Sequence, residues 1–261
     1  MKLTISIVIY NTPQQIWQNC LNTLRTAINT LQKEQGIKTA VYIVDNSPNS
    51  SYQSTINDDY HYIANPSNKG YGHGNNLALQ EIDSDYHLVM NPDVYLAKNT
   101  LCQAINFIQA HQDVGLLAPF ITTPDGEWQN AFKQHPTLWD HFLRQFAPGW
   151  LKRRNQARMQ RFAGVNIDPE QSHFDIPSVM GSFMFFRSSF LKLIHGFDNR
   201  FFLYFEDDDI SRRLAQHART AYTPTVKIIH EHAHQTQRSW KHKFYFAASL
   251  LRYWRKWGGL W

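Results

Sequence analysis

At 261 residues and 43% hydrophobic, the chain can bury one large core or two fused lobes, which excludes a disordered or disulfide-stapled protein. The net charge of +5 is unevenly spread: residues 141–161 and 238–261 each carry six Arg/Lys and no acid, so an acidic body bears two basic, aromatic-rich segments. Such segments suit an anionic surface, either membrane or nucleic acid.

The opening stretch, MKLTISIVIYNTPQQ, has too short an apolar run for a signal peptide and breaks at Asn11-Thr12-Pro13. Nearly continuous apolar runs at 3–9, 40–45, 60–64, 86–90 and 114–118 predict strands of a parallel sheet buried on both faces. Between the first two, Ile16, Cys20, Leu24, Ile28 and Leu31 recur at helical spacing, with Pro13 near the start and Gly36 past the end. Shorter helices are expected from Asn76 to Ile82 and from Thr100 to His111. Cys20 and Cys102 fall inside these helices and read as small core residues, which fits a reducing compartment. This alternation predicts a doubly wound α/β sheet, whose ligands bind outside the carboxyl ends of the strands. Polar groups fall at those ends: Tyr10-Asn11, Asp45-Asn46-Ser47 and Asn91-Pro92-Asp93. Proline in the last of these is expected to hold the chain extended and aim both Asn91 and Asp93. From about residue 119 the pattern loosens, and 141–161 reads as a short helix or a mobile loop. No stretch reaches the length of a bilayer span, so a soluble or peripheral protein is expected.

Three motifs carry chemistry. NKGYGHGNN (68–76) is Gly-rich and opens a helix, so its N–H groups could meet an anion, although a plain flexible loop fits the same letters. It is neither a dinucleotide fingerprint nor a P-loop. YFEDDDISRRL (204–214) sets four acids, Glu206 to Asp209, behind aromatics and at a helix start. The helix dipole would relieve their repulsion, and partial burial would make one a usable general base. A solvated, acid-rich helix start is the plainer reading. HEHAH places His230, His232 and His234 on one side of an extended segment, more consistent with one of them joining Asp93 on a hard cation than with a complete zinc site.

Taken together and in order, SIVIYN, VDNS, NKGYGHGNN, MNPDVYL, MGSFMFFR and GFDNRFFLYFEDDDISRRL with a downstream His resemble the inverting family 2 glycosyltransferases of GT-A fold. NPD in place of Asp-x-Asp and FLYFEDDDIS look most like the branch that uses dTDP-rhamnose. The length and basic aromatic tail resemble the subgroup that adds rhamnose to a lipid-diphosphate-linked N-acetylglucosamine. The resemblance implies a nucleotide-sugar-binding half (1–120), an acceptor-binding and catalytic half of the same domain (121–237), and a basic amphipathic C-terminal helix (238–261). It assigns Tyr10, Asn11, Asp45, Asn46, Asn68, Gly70, Asn75, Asn91 and Asp93 to the nucleotide sugar. Asp93 and His230 would hold Mg²⁺ or Mn²⁺. Asp207 would be the base, with Glu206 orienting the acceptor, and Asp208 could trade roles with Asp207. Gly181, Ser182, Phe205 and Arg238 would meet the acceptor. On the helical reading of 240–257, Trp240, Phe244, Ala247, Leu251 and Trp254 share one face, either docked on the core or lying in a membrane surface.

The reading is therefore a metal-dependent transferase of bacterial surface-polysaccharide assembly, cytoplasmic and peripheral on the inner membrane. Its partners would be dTDP-rhamnose, a lipid-linked or oligosaccharide acceptor and an anionic membrane, with no nucleic acid. A UDP-hexose or UDP-N-acetylhexosamine donor is the nearest alternative, and a non-catalytic nucleic-acid- or membrane-binding protein the one from another class. The second leaves Asp93 and the acidic run unexplained.

Overall fold

The computed structural model describes residues 1–49, 52–53, 56, 60–80, 83–135, 137, 139–140, 143, 147–162, 168–231 and 240–258. The first half contains β1 (Lys2–Ile9), α1 (Gln14–Gln35), β2 (Lys38–Asp45), β3 (His61–Ala64), α2 (Tyr71–Leu79), β4 (Tyr86–Met90), β5 (Val94–Leu96), α3 (Thr100–Ala110) and β6 (Val114–Thr122). The second contains β7 (Trp128–Gln129), β8 (Phe132–Lys133), α4 (Gly149–Arg154), α5 (Gln156–Phe162), β9 (His173–Phe174), β10 (Ser178–Val179) and β11 (Phe183–Arg187). It ends with α6 (Ser188–Leu193), α7 (Glu206–Leu214), β12 (Arg219–His230) and α8 (Trp240–Trp257).

Among the described residues, one sheet runs in the order β3-β2-β1-β4-β11-β6-β12-β5. The expected α/β layer is present: β3, β2, β1 and β4 are parallel neighbours, and β6 pairs β12 in parallel. The apolar strand FMFFR, β11, enters antiparallel between β4 and β6, buried along almost its whole length. One such insertion decides the site. Two antiparallel pairings restore direction, so β6 and β12 end at the same edge as β1, β2 and β4. The amino end of β11, at Gly181-Ser182, is brought to that edge as well.

Helix α1 follows its predicted span, starting just after Pro13 and closing on Gly36 at φ 65°, whose N–H reaches the Gln32 carbonyl. Its buried stripe is Trp17, Cys20, Leu21, Leu24, Ala27 and Leu31, packed with Ile5, Ile7 and Ile9 of β1. Two expectations change. The helix expected from Asn76 starts five residues earlier, at Tyr71, and carries Gly72 and Gly74 within it. A Cβ on Gly72 would lie 2.9 Å from Phe197 Cβ, and one on Gly74 3.0 Å from Val8, so these glycines serve close packing rather than a loop. The second change is at Asn91-Pro92-Asp93. It is a turn, with Val94 N–H donating to the Asn91 carbonyl at 3.3 Å, and the chain re-enters the sheet at once as β5.

The other face of β1 carries a polar file through the core. Ser6 Oγ donates to Asn75 Oδ1 at 2.7 Å, so His87 Nε2 donates to Ser6 (3.0 Å) and His87 Nδ1 accepts from Thr4 (2.8 Å). Burial pushes the His87 imidazole down to about 3. The unfolded chain binds that proton below the ordinary His value, whereas the native state does not. Stability is therefore present above pH 6.5 and is lost as pH falls from there toward 3, at about 1.4 kcal/mol per pH unit. Thermal melts from pH 7 to pH 4 should show this slope, and His87→Gln should flatten it; an unchanged slope would refute the assignment.

Candidate functional site

The strand ends converge as the topology requires. Asn11 sits at φ 48° with its N–H on Ser47 Oγ (2.9 Å), and Tyr10 beside it is 55% exposed. Asp45 is buried, accepting from the Ser47 N–H (2.9 Å) and the Tyr62 hydroxyl (2.6 Å). Asn46 is tied by Asn65 Nδ2 (2.7 Å) and reaches the Gly70 carbonyl (3.4 Å). Asn68, at φ 33°, accepts from the Gly70 N–H at 3.2 Å. Gly70 itself stands at φ 107°, where an added Cβ would lie 2.2 Å from the Phe202 carbonyl oxygen. Only glycine lets the segment before α7 close over the start of α2.

Asn75 does not join this group. It is fully buried, and its amide is spent on Ser6 and on the Tyr71 carbonyl (3.2 Å). Its place on a helix begun at Tyr71 turns it toward β1.

At the end of β4, the Asn91 N–H donates to the Ser182 carbonyl at 2.9 Å. Asp93 Oδ1 lies 3.3 Å from His230 Nε2, and among the described residues that buried oxygen has no hydrogen bond. His230 closes β12, and the Glu231 N–H donates to the Asp93 carbonyl at 2.9 Å. A buried carboxylate oxygen facing an imidazole fits a divalent cation. Among the described residues no third His, Cys, Asp or Glu completes a cluster, so other oxygens would have to come from a ligand. His232, His234 and Arg238 lie outside the described residues.

The acidic helix divides its four carboxylates by helical angle. Asp208 is fully buried and accepts from Ser178 Oγ at 2.5 Å. Asp209, also buried, accepts from Arg213 Nε (2.8 Å), Trp257 Nε1 (2.8 Å) and Lys256 Nζ (2.7 Å). Glu206 is buried as well. Asp207 alone of the four is partly open, and its Oδ2 accepts from the Gly181 N–H at 3.2 Å. The Ser178 bond and full burial set Asp208 apart from the partly open Asp207. Phe205 packs 5.2 Å from Phe246 and 5.7 Å from Tyr253, ring to ring, within a small core under α8. Tyr204 and Phe205 both adopt left-handed backbone, at φ 71° and 66°. For aromatic residues that costs about 1–3 kcal/mol each, so strain is held where the chain turns into α7.

Tyr71 is the residue that sequence reasoning missed. Its hydroxyl donates to the Gly181 carbonyl at 2.9 Å, so the Gly181-Ser182 corner ties together Tyr71, Asp207 and the Asn91 turn. Burial raises the Tyr71 hydroxyl, and the charges of Glu206, Asp207 and Asp93 raise it further, so it stays neutral. Its signal was the aromatic residue between two glycines of NKGYG.

Helix α8 docks inward through Tyr253 and through Ser249, whose Oγ donates to the Leu203 carbonyl at 2.8 Å. Burial, and then the charge of Asp208, push the Tyr253 hydroxyl up to about 12. Outward, Trp240 is 83% exposed, Phe244 69% and Leu251 42%. The stripe expected on one face is thus largely exposed, and other residues, Phe246, Ser249, Leu250 and Tyr253, dock the helix on the core. No helix among the described residues is long and apolar enough to cross a membrane.

A family model described as Glycosyl transferase family 2 matches residues 4–192. The chain is 26% identical over 212 residues to the N-acetylglucosaminyl-diphospho-decaprenol L-rhamnosyltransferase of Mycobacterium tuberculosis, covering 74% of this chain and 65% of that protein. It is 29% identical over 181 residues to the rhamnosyltransferase WbbL of Escherichia coli, covering 65% of this chain and 63% of that one. The chain thus spans less than two thirds of the length of these curated relatives. Among solved structures it is similar to the mannosyltransferase PcManGT from Pyrobaculum calidifontis, in complex with GDP-Man and Mn²⁺. That match has a TM-score of 0.61 at 16% identity, over 96% of this chain and 64% of the other. It bears on fold alone, and the fold is the GT-A fold that the sequence motifs implied.

Proposed function

This chain belongs to glycosyl transferase family 2, and from that premise we propose that it is an inverting rhamnosyltransferase acting on a lipid-diphosphate-linked N-acetylglucosamine. The observation that carries the catalytic part is the position of Asp207. It is the partly open acid of an otherwise buried run, held by the Gly181 N–H and joined through Ser182 to the turn bearing Asp93. In the proposed reaction Asp207 takes the proton of the acceptor hydroxyl. The hydroxyl oxygen attacks the anomeric carbon from the face opposite the leaving group, and the bond to the nucleoside diphosphate breaks with its electron pair on that group. Glu206 orients the acceptor, while Tyr71 and Gly181 fix the direction of the Asp207 carboxylate.

Asp93 and His230 would hold Mg²⁺ or Mn²⁺, which when bound would neutralise charge on the diphosphate. Asp45, Asn46, Tyr10 and Asn11 would line the base and ribose pocket, with Asn68 and Gly70 closing it. Both relatives are rhamnosyltransferases, which supports rhamnose as the sugar moved, and the mycobacterial one, an N-acetylglucosaminyl-diphospho-decaprenol L-rhamnosyltransferase, supports the acceptor class. The exposed face of α8, with Lys241, Lys243 and Arg255 beside its aromatics, supports docking on an anionic membrane at the cytoplasmic side. Trp150, exposed on basic α4, would add to it.

A donor panel with metal added or withheld, read by nucleoside diphosphate release, tests this. Metal-dependent release of dTDP from dTDP-rhamnose in the presence of acceptor is the expected result. Preference for a UDP-sugar would overturn the rhamnose assignment and spare the transferase; no release from any donor would overturn both.

A further inference from the structure

Arg200, Ala248, Leu251, Arg252, Arg255 and Lys256 line a groove of about 390 Å³ that the proposed chemistry does not use. Positions 248, 251, 252 and 255 follow i, i+3, i+4, i+7, so one face of α8 forms most of it. Four cations held this close repel one another unless anions stand among them. Two carboxylates do so in part. Asp198 meets Arg200 (2.6 Å) and Lys256 (2.7 Å), and Asp209 meets Lys256 (2.7 Å) while also holding Arg213. Among the described residues neither Arg252 nor Arg255 is paired with a carboxylate. The groove therefore keeps a surplus of positive charge, presented by guanidinium forks whose geometry matches two oxygens of a phosphate. Leu251 lines the groove and is also a member of the exposed stripe with Trp240 and Phe244. Groove and stripe are thus continuous along one helix.

We propose that this groove is a phosphate site, occupied by the phosphodiester headgroup of an anionic phospholipid when α8 lies on a membrane. The inference rests on the membrane docking proposed above and gives it a specific contact. It also places a lipid phosphate beside Lys256, the side chain that reaches Asp209 on α7.

Vesicle co-sedimentation of the full chain tests it, with phosphatidylcholine alone and with a minority of phosphatidylglycerol. Wild type should favour the anionic vesicles. The Arg252→Lys/Arg255→Lys pair keeps every charge but cannot span two phosphate oxygens, and it should bind them about tenfold more weakly. A control pair outside α8, Lys33→Arg/Lys38→Arg at exposed positions, should match wild type. Equal binding by the Arg-to-Lys pair would overturn the groove site and leave membrane docking standing, because a diffuse field counts only charge. Binding of wild type to neither vesicle would overturn both, with the donor panel unaffected. Inorganic phosphate added at constant ionic strength separates the two sources of phosphate. Unchanged binding supports the headgroup, and release of wild type to the level of the double variant would assign the groove to free phosphate instead. Should the pair melt early, the single Arg255→Lys on the exposed rim carries the same comparison.

Discussion

Asp207→Asn is expected to lower kcat by about 10²–10⁴-fold while leaving donor binding and the melting temperature near wild type. The amide is isosteric and can still accept the Gly181 N–H, so the corner that joins Tyr71, Asp207 and the Asn91 turn stays in place. What is lost is the basic oxygen that takes the acceptor proton. Asp208→Asn makes the contrast. Its carboxylate lies in the interior against Ser178, so that exchange should appear as lost stability rather than as a selective loss of kcat. Steady-state kinetics beside thermal melts of the two variants separate these outcomes. Near-normal turnover in Asp207→Asn would remove the proposed base.

Asp209→Ala is expected to destabilise the fold by about 3–5 kcal/mol, the cost of removing one partner from a buried ion pair. Asp209 is fully buried and accepts from Arg213, Lys256 and Trp257, drawing on α7 and α8 at once. Arg213 would retain the Ile194 and Gly196 carbonyls, and Lys256 would retain Asp198, so the loss centres on the junction of the two helices. For a chain of this size the melting temperature should fall by roughly 6–20 °C. Asp209→Asn, which can still accept from Trp257, should fall less. A variant Asp209→Ala that melts with wild type would show that the junction contributes nothing to stability.

Most of the fold was legible because buried parallel strands and an amphipathic α1 write their periodicity directly into the sequence. The polar strand ends were legible for the same reason, since Asp45 and the Asn91 turn interrupt apolar runs. Other features depended on contacts distant in the chain. Gly72 and Gly74 read as loop residues until Phe197 and Val8 are seen packed against them. Proline at 92 is as compatible with a turn as with an extended strand, and the pairing of β5 with β12 selects the turn. The acidic run looked ambiguous in one dimension. Successive residues on a helix point about 100° apart, and that rotation sends Asp208 and Asp209 inward and leaves Asp207 beside Gly181. The packing of Phe205 was not legible, because the inner face of α8, which covers it, lies far along the chain. Tyr71 was not legible because its partner, the Gly181 carbonyl, lies 110 residues away in the chain.

The bond from Lys256 and Trp257 to Asp209 also has a bearing on biosynthesis. Translation delivers α7 well before the residues that secure it, so a nascent chain holds its proposed base on a helix whose far anchor has not yet been made. The left-handed turn at Tyr204 and Phe205 has no cover from Tyr253 until then. The order of synthesis thus sets the order of assembly: a chain interrupted before residue 253 would carry every residue of the proposed transferase site and lack the clamp that fixes it in register.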